Sequence, residues 1–436
     1  MKIVLLLFYF TITTGIVYAQ ANTDSLPPAS LQACIDYALK HQPAIQQTTI
    51  DQQIVEAEIR SRLADWLPQI GTNFGVQHNF QRQTSFFNGQ PVPIGVNNTS
   101  TGQVFLDQAI FSRDILLLRR TRGDLRLQTR QATTEAKIDV AVDVSKAFYD
   151  VLTTRQQIQV AQENISRLEK SLNDAYYRYQ SGIVDKTDYK RAQIALNNTT
   201  AQLKANQAAE VGKIERLKAT MGYPPRSPLS IVYDSLQLVR ETTFDTLQIP
   251  VYNERIEYQQ LTTQRRLLES EVIYERNGWL PTISANVGYN FNYFNNSFGK
   301  LYGSNYPNSF VGLTAGLPIF QGGRRRANVR AAALRVSRLN LDLVNIENSI
   351  NSEFATALST YKGSLANFLA AEANIALAQE VYDVLQLQYQ AGIKTYLEVI
   401  TAETELRTAK INYFNALYQV LVSKLDTERA LGNIRY

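Results

Sequence analysis

At two prolines the hydrophobic pattern changes from a period of about 3.6 to a period of 2. After Pro68, the residues Ile70, Thr72, Phe74, Val76, His78 and Phe80 fall on one face, opposite Gln69, Gly71, Asn73, Gly75, Gln77 and Asn79. After Pro281, the residues Ile283, Ala285, Val287, Tyr289, Phe291 and Tyr293 oppose Thr282, Ser284, Asn286, Gly288, Asn290 and Asn292. Such alternation predicts strands with one apolar and one polar face. Return strands follow, through Val104 and Leu106 and through Val311, Leu313, Ala315, Leu317 and Ile319. The strand pairs are therefore expected within 69–110 and 282–319. The stretches 81–99 and 295–309, rich in Asn, Gly, Ser and Pro, read as loops.

The helical pattern is longer. Ile158, Ala161, Ile165, Leu168, Leu172, Ala175 and Tyr179 alternate by three and four. Phe368, Ala371, Ile375, Ala378, Tyr382, Leu385 and Tyr389 do the same 210 positions later. Past a glycine break the seam resumes with Ala192, Leu196 and Leu203, and again with Ala402, Leu406 and Tyr413. A sustained seam of this spacing predicts coiled-coil packing. A helical segment of about 65 residues would run about 100 Å, too long for an ordinary globular domain.

These landmarks come in pairs. "WLPQIGTNFGVQ" at 66 is matched by "WLPTISANVGYN" at 279, and "YQSGIVDKTDYKRA" at 179 by "YQAGIKTYLEVITA" at 389. "LDQAIFS" at 106 is matched by "AGLPIFQ" at 315. Three pairs in one order indicate a duplicated half-chain. We read residues 20–222 as the first repeat, 223–250 as a proline-bearing linker and 251–436 as the second repeat. Each repeat is expected to open with a helix of about 35 residues leading to Trp-Leu-Pro.

Residues 1–19, "MKIVLLLFYFTITTGIVYA", carry a lysine, an apolar run and a small-residue end, the pattern of a secretory signal peptide. Cys34 is the single cysteine, so no internal disulfide is possible. It lies in "LQACIDYAL", well past the apolar run, which favours a buried thiol over a lipid anchor. Charged residues are 19% of the chain and the formal net charge is +5, mild for 436 residues. That balance does not point to nucleic acid. His41 and His78 are the two histidines, and no metal cluster, nucleophile motif or phosphate loop is present. The chain is expected not to be an enzyme and to need no cofactor.

The strands admit two readings, a half-buried hairpin on a soluble core or a wall between lipid and water. Their length, their small uncharged polar face and the export signal favour the second. Phe74, Val76, Phe80, Val287, Tyr289, Phe291, Leu313 and Leu317 would then face lipid. An open sheet edge cannot sit in lipid, and the smallest such barrels have about 8 strands. Four strands per chain must therefore be pooled between copies. Trp66 and Trp279 fit either an interfacial aromatic belt or packing at a helix end. Arg113, Arg119, Arg120, Arg122, Arg324, Arg325, Arg326 and Arg330 follow the return strands and read as a solvated helix face.

The duplicated Trp-Leu-Pro turns, "AIFS", "LPIFQGG", and above all "YQSGIVDKTD" and "YQAGIKTYLEV" resemble the TolC-type outer membrane efflux proteins across essentially the whole mature chain. The resemblance implies a mixed fold: a transmembrane β-barrel, twelve-stranded in a homotrimer, above a long periplasmic α-helical tunnel of coiled-coil helices. It implies passive conduction, with a periplasmic adaptor and an inner-membrane RND or ABC pump as partners. Gly182, Ile183, Gly392 and Ile393 match adaptor-docking tips, although both glycines also suit helix C-caps. Asp188 matches a latch carboxylate with Tyr389 and Lys394 as partners, and Glu398 an acidic ring at the closed pore. Thr401 stands where the family often has a second acid. Asp188 and Glu398 equally suit first-turn acids. The competing function is a periplasmic coiled-coil adaptor or scaffold without a pore.

Overall fold

The computed structural model describes residues 28–434 and 436; the expected signal peptide, 1–19, lies outside the described residues. Helices α1 (Leu31–His41) and α2 (Pro43–Ala64) lead into strand β1 (Gln69–His78). A small hairpin, β2 (Thr84–Phe87) and β3 (Gln90–Pro93), precedes strand β4 (Asn98–Phe111). Helices α3 (Arg113–Gln180) and α4 (Lys186–Met221) complete the first half. After the short α5 (Ser235–Arg240) the order recurs as α6 (Ile256–Arg276), β5 (Thr282–Asn295), β6 (Asn308–Gly316), α7 (Arg324–Gln390) and α8 (Tyr396–Leu431).

The expected 35-residue opening helix is not found in either half. Pro43 lacks an N–H and holds Gln42 extended (φ −65°, ψ 121°), so the first is cut into α1 and α2. In the second half a 3-10 turn, Tyr252–Glu254, precedes α6. The loop at 81–99 contains the β2–β3 hairpin, with Asn88 at φ 48° and Gly89 at φ 80° closing the turn.

Helix α3 has 68 residues and α7 has 67, about 100 Å each. Neither contains proline. Ser112 caps α3 by accepting from the Asp114 amide. Ala161, Leu168 and Ala175 of the first seam are buried, as are Phe368, Ala371 and Tyr389 of the second. Burial of a large side chain is worth about 1.5–3 kcal/mol, so a seam repeated over many turns outweighs weak local propensity. The main core lies midway along the stalk, where Val144, Phe148, Leu152, Leu217, Phe368 and Leu421 meet. The linker packs onto it through Tyr223, Leu229 and Ile231, and Ala29 bridges Ile231. Cys34 is fully buried in the same core, and burial pushes its thiol up to about 12.

The four long strands form one antiparallel sheet in the order β1-β4-β5-β6. The duplication thus places β4 of one repeat beside β5 of the next, and among the described residues leaves β1 and β6 as unpaired edges. The chain exposes 27574 Å². A compact monomer of 49.2 kDa would expose about 17,000 Å². An open sheet exposed on both faces and a long stalk contribute to the excess. Among the described residues, no helix is long and apolar enough to cross a membrane.

Candidate functional site

The sheet register sorts the side chains. Ile70 pairs with Leu106, Leu106 with Val287, and Val287 with Val311. Directly paired residues share a face. One face therefore carries Ile70, Phe74, Val76, Val104, Leu106, Val287, Tyr289, Phe291, Val311 and Leu313. Phe74 is 72% exposed and Leu313 69%. A row of such side chains left in water would be costly, at about 25 cal/mol per Å² of apolar surface. The opposite face carries Gln69, Asn73, Gln103, Asn286, Asn290 and Asn308, with glycines between them.

Two residues expected on the lipid-facing strands are not in strands. Phe80 lies beyond β1, because the ladder ends at His78 and Asn98. There Asn79 turns the chain by donating through Nδ2 to the Val96 carbonyl. Leu317 lies beyond β6, whose last pair is Thr282 with Gly316. Pro281 and Pro318 flank that pair and have no N–H to extend the ladder.

Below the sheet, aromatic and basic residues meet. The Arg119 guanidinium stands 4.7 Å from the Trp66 ring centre, and Arg113 lies 4.3 Å from Tyr274. Trp279 is 54% exposed. Arg324, Arg325 and Arg326 open α7 without an acidic residue in its first turn, against the helix dipole.

At the far end of the stalk two hairpin tips match. In the first, the Gly182 amide donates to the Tyr179 carbonyl and Ile183 to Arg178. In the second, Gly392 donates to Tyr389 and Ile393 to Gln388. Both are Schellman closures, with glycine at φ 70° and 75°. A Cβ added at either glycine would meet nothing within 4 Å, and Ile183 and Ile393 are exposed.

The expected latch is arranged differently. Lys394 pairs with Glu398 at 2.7 Å, one helical turn away, and not with Asp188. Glu398 also accepts from the Thr395 amide and hydroxyl at 3.0 Å, closing a capping box. Chiefly through the Lys394 bond, its carboxyl is held down at about 2. The short reach within one turn outcompetes the longer reach to Asp188. Asp188 sits in the first turn of α4, its carboxyl raised by partial burial and by Asp185, against the pull of Arg191. Tyr389 is 5% exposed, and its hydroxyl has no hydrogen-bond partner.

Sequence reasoning missed two groups. Arg178 joins the tips, donating to the Tyr389 and Gln390 carbonyls at 3.3 Å each. Glu403 is buried between α3 and α8, 3.6 Å from Arg167. Desolvation raises its carboxyl to about 7, against Arg167 and Arg407. Its place one residue after Ala402 in the seam was the available signal.

A sequence profile described as "Outer membrane efflux protein" matches residues 34–223 and 253–433. The chain belongs to the outer membrane efflux protein family. The two matched segments flank the linker. The chain is 22% identical to outer membrane protein TolC of Escherichia coli, over 90% of this chain and 80% of that protein. It is 24% identical to outer membrane protein OprJ of Pseudomonas aeruginosa, over 93% and 84%. In fold it is similar to the crystal structure of VceC from Vibrio cholerae, with a TM-score of 0.73 at 16% identity, covering 92% of this chain and 96% of that one. Family membership carries outer membrane localisation and a part in efflux, and disfavours an adaptor without a pore.

Proposed function

We propose that this protein is the exit duct of a tripartite efflux or type I secretion system, a passive conduit assembled as a homotrimer. The observation that carries the reading is the open four-stranded sheet: apolar on one face, polar on the other, with both edges unpaired. Such edges in lipid must be closed by further strands. Three copies give twelve strands, with β6 of one copy meeting β1 of the next. The apolar faces then meet lipid and the polar faces line water.

The stalk carries a matching signal. Leu377, Val381, Val384 and Leu387 lie along α7 at steps of four, three and three, and all are at least 46% exposed. That stripe suits a neighbouring copy, which would extend the coiled coil into a tunnel. Gly182, Ile183, Gly392 and Ile393 would meet a periplasmic adaptor at the tips, with an RND or ABC pump in the inner membrane beneath. Asp188, Tyr389 and Glu398 would stand near the closed end, with Arg178 as the tie inside each chain.

Fractionation of the full-length protein, followed by sizing in detergent, tests the reading. A membrane-bound trimer that conducts ions in planar bilayers is expected. Monomers recovered in the soluble periplasmic fraction would overturn it.

A further inference from the structure

On the polar face, one cross-strand row departs from its neighbours. Gly71 pairs with Phe105, Phe105 with Gly288, and Gly288 with Phe310, so glycine and phenylalanine alternate across all four strands. The row on one side holds Asn73, Gln103, Asn290 and Asn308. The row nearer the helices holds Gln69, Asp107, Asn286 and Gly312. An apolar row is thus set between two polar ones.

The glycines determine how the rings lie. A Cβ built at Gly71 would come within 2.4 Å of the Phe105 ring, and one at Gly288 within 2.5 Å of the Phe310 ring. Each ring therefore lies flat over the glycine of the adjacent strand instead of standing out from the wall. Each repeat supplies one such pair, Gly71 with Phe105 and Gly288 with Phe310. Neither glycine has a positive φ, so the backbone itself does not call for glycine there.

Asp107 is the one Asp, Glu, Lys or Arg in the four paired strands. It lies two residues from Phe105 on β4, on the same face and one row nearer the helices. A carboxylate beside flat aromatic rings attracts solutes that are both cationic and aromatic, through charge and through the ring faces.

We propose that Phe105, Phe310 and Asp107 form a contact belt inside the barrel for solutes carrying an aromatic group and a positive charge. Gly71 and Gly288 keep its rings against the wall. The belt rests on the exit-duct reading. Three copies close it into a ring of six phenylalanines and three aspartates.

The test uses full-length trimers in planar bilayers, with tetraphenylphosphonium added as the probe. Wild-type channels are expected to show transient current blocks. The double variant Phe105→Ala/Phe310→Ala should shorten the mean block about threefold or more, the scale of an exposed cation–ring contact. Asp107→Asn should shorten it for tetraphenylphosphonium and not for the equally bulky anion tetraphenylborate. Gly71→Ala/Gly288→Ala should lower the unitary current by pushing the rings inward. Block times unchanged by the phenylalanine variant, or no block of the wild-type channel, would overturn the belt alone. Wild-type trimers that carry no current would overturn the duct reading beneath it.

Discussion

The guanidinium of Arg178, in the last turn of α3, stands 4.7 Å from the ring centre of Tyr389, in the last turn of α7. The same side chain donates to the carbonyls of Tyr389 and Gln390, so one arginine ties the two tip hairpins of a chain. Replacing Arg178 by Ala removes a cation–ring contact and two hydrogen bonds, together about 1.5–4 kcal/mol per chain. Single-channel recordings in planar bilayers should then show larger or more frequent openings. Arg178→Lys should recover part of the effect, because it keeps the charge and loses the planar fork. Recordings identical to wild type would show that the tie does not hold the tips.

Glu403 makes stability depend on pH. Its folded value of about 7 lies above the ordinary 4.5, so the folded chain binds an extra proton between these values. The contribution is full below about pH 4.5 and is lost as the pH rises through about 7. A shift of this size corresponds to about 3 kcal/mol. The difference between wild type and Glu403→Gln in thermal melts should therefore change across pH 4.5–7. The wild type should lose stability toward the upper end and the variant should not. Parallel pH profiles would refute the assignment.

The tip glycines separate a folding role from a docking role. Alanine in the left-handed region costs about 1–2 kcal/mol per site. The open space around both glycines adds no clash. Gly182→Ala/Gly392→Ala should lower the melting temperature, whereas Asn at both sites should cost less because it tolerates that conformation. If the tips receive an adaptor closely, the Asn variant should still fold yet co-purify less of it. Full recovery of adaptor with the Asn variant would leave the glycines as caps only.

Cys34 should resist a maleimide reagent in the folded protein. Its side chain is buried and its thiol is held near 12, so almost no thiolate is present at neutral pH. Labelling is expected only above the unfolding transition. Rapid labelling of the native protein would contradict the placement of α1 in the core.

Much was legible along the chain because each signal was local and periodic. The 210-residue offset aligns the ends of α3 and α7 at Gln180 and Gln390, and those of α4 and α8 at Met221 and Leu431. Alternation after Pro68 and Pro281 located β1 and β5, since a half-buried strand repeats every two residues. Strand ends were less legible, because Phe80 and Leu317 continue the apolar rhythm after their backbone partners have run out.

Amino-acid order alone determined the duplication, the long proline-free helices, the two-faced strands and the glycine-closed tips, all set by neighbours a few residues apart. Folding in three dimensions decided which distant groups meet. It brought Arg178 to Tyr389, buried Glu403 beside Arg167, and aligned Gly71, Phe105, Gly288 and Phe310 in one row. Strand register and helix pairing fix those contacts across tens to hundreds of residues, and no local periodicity records either.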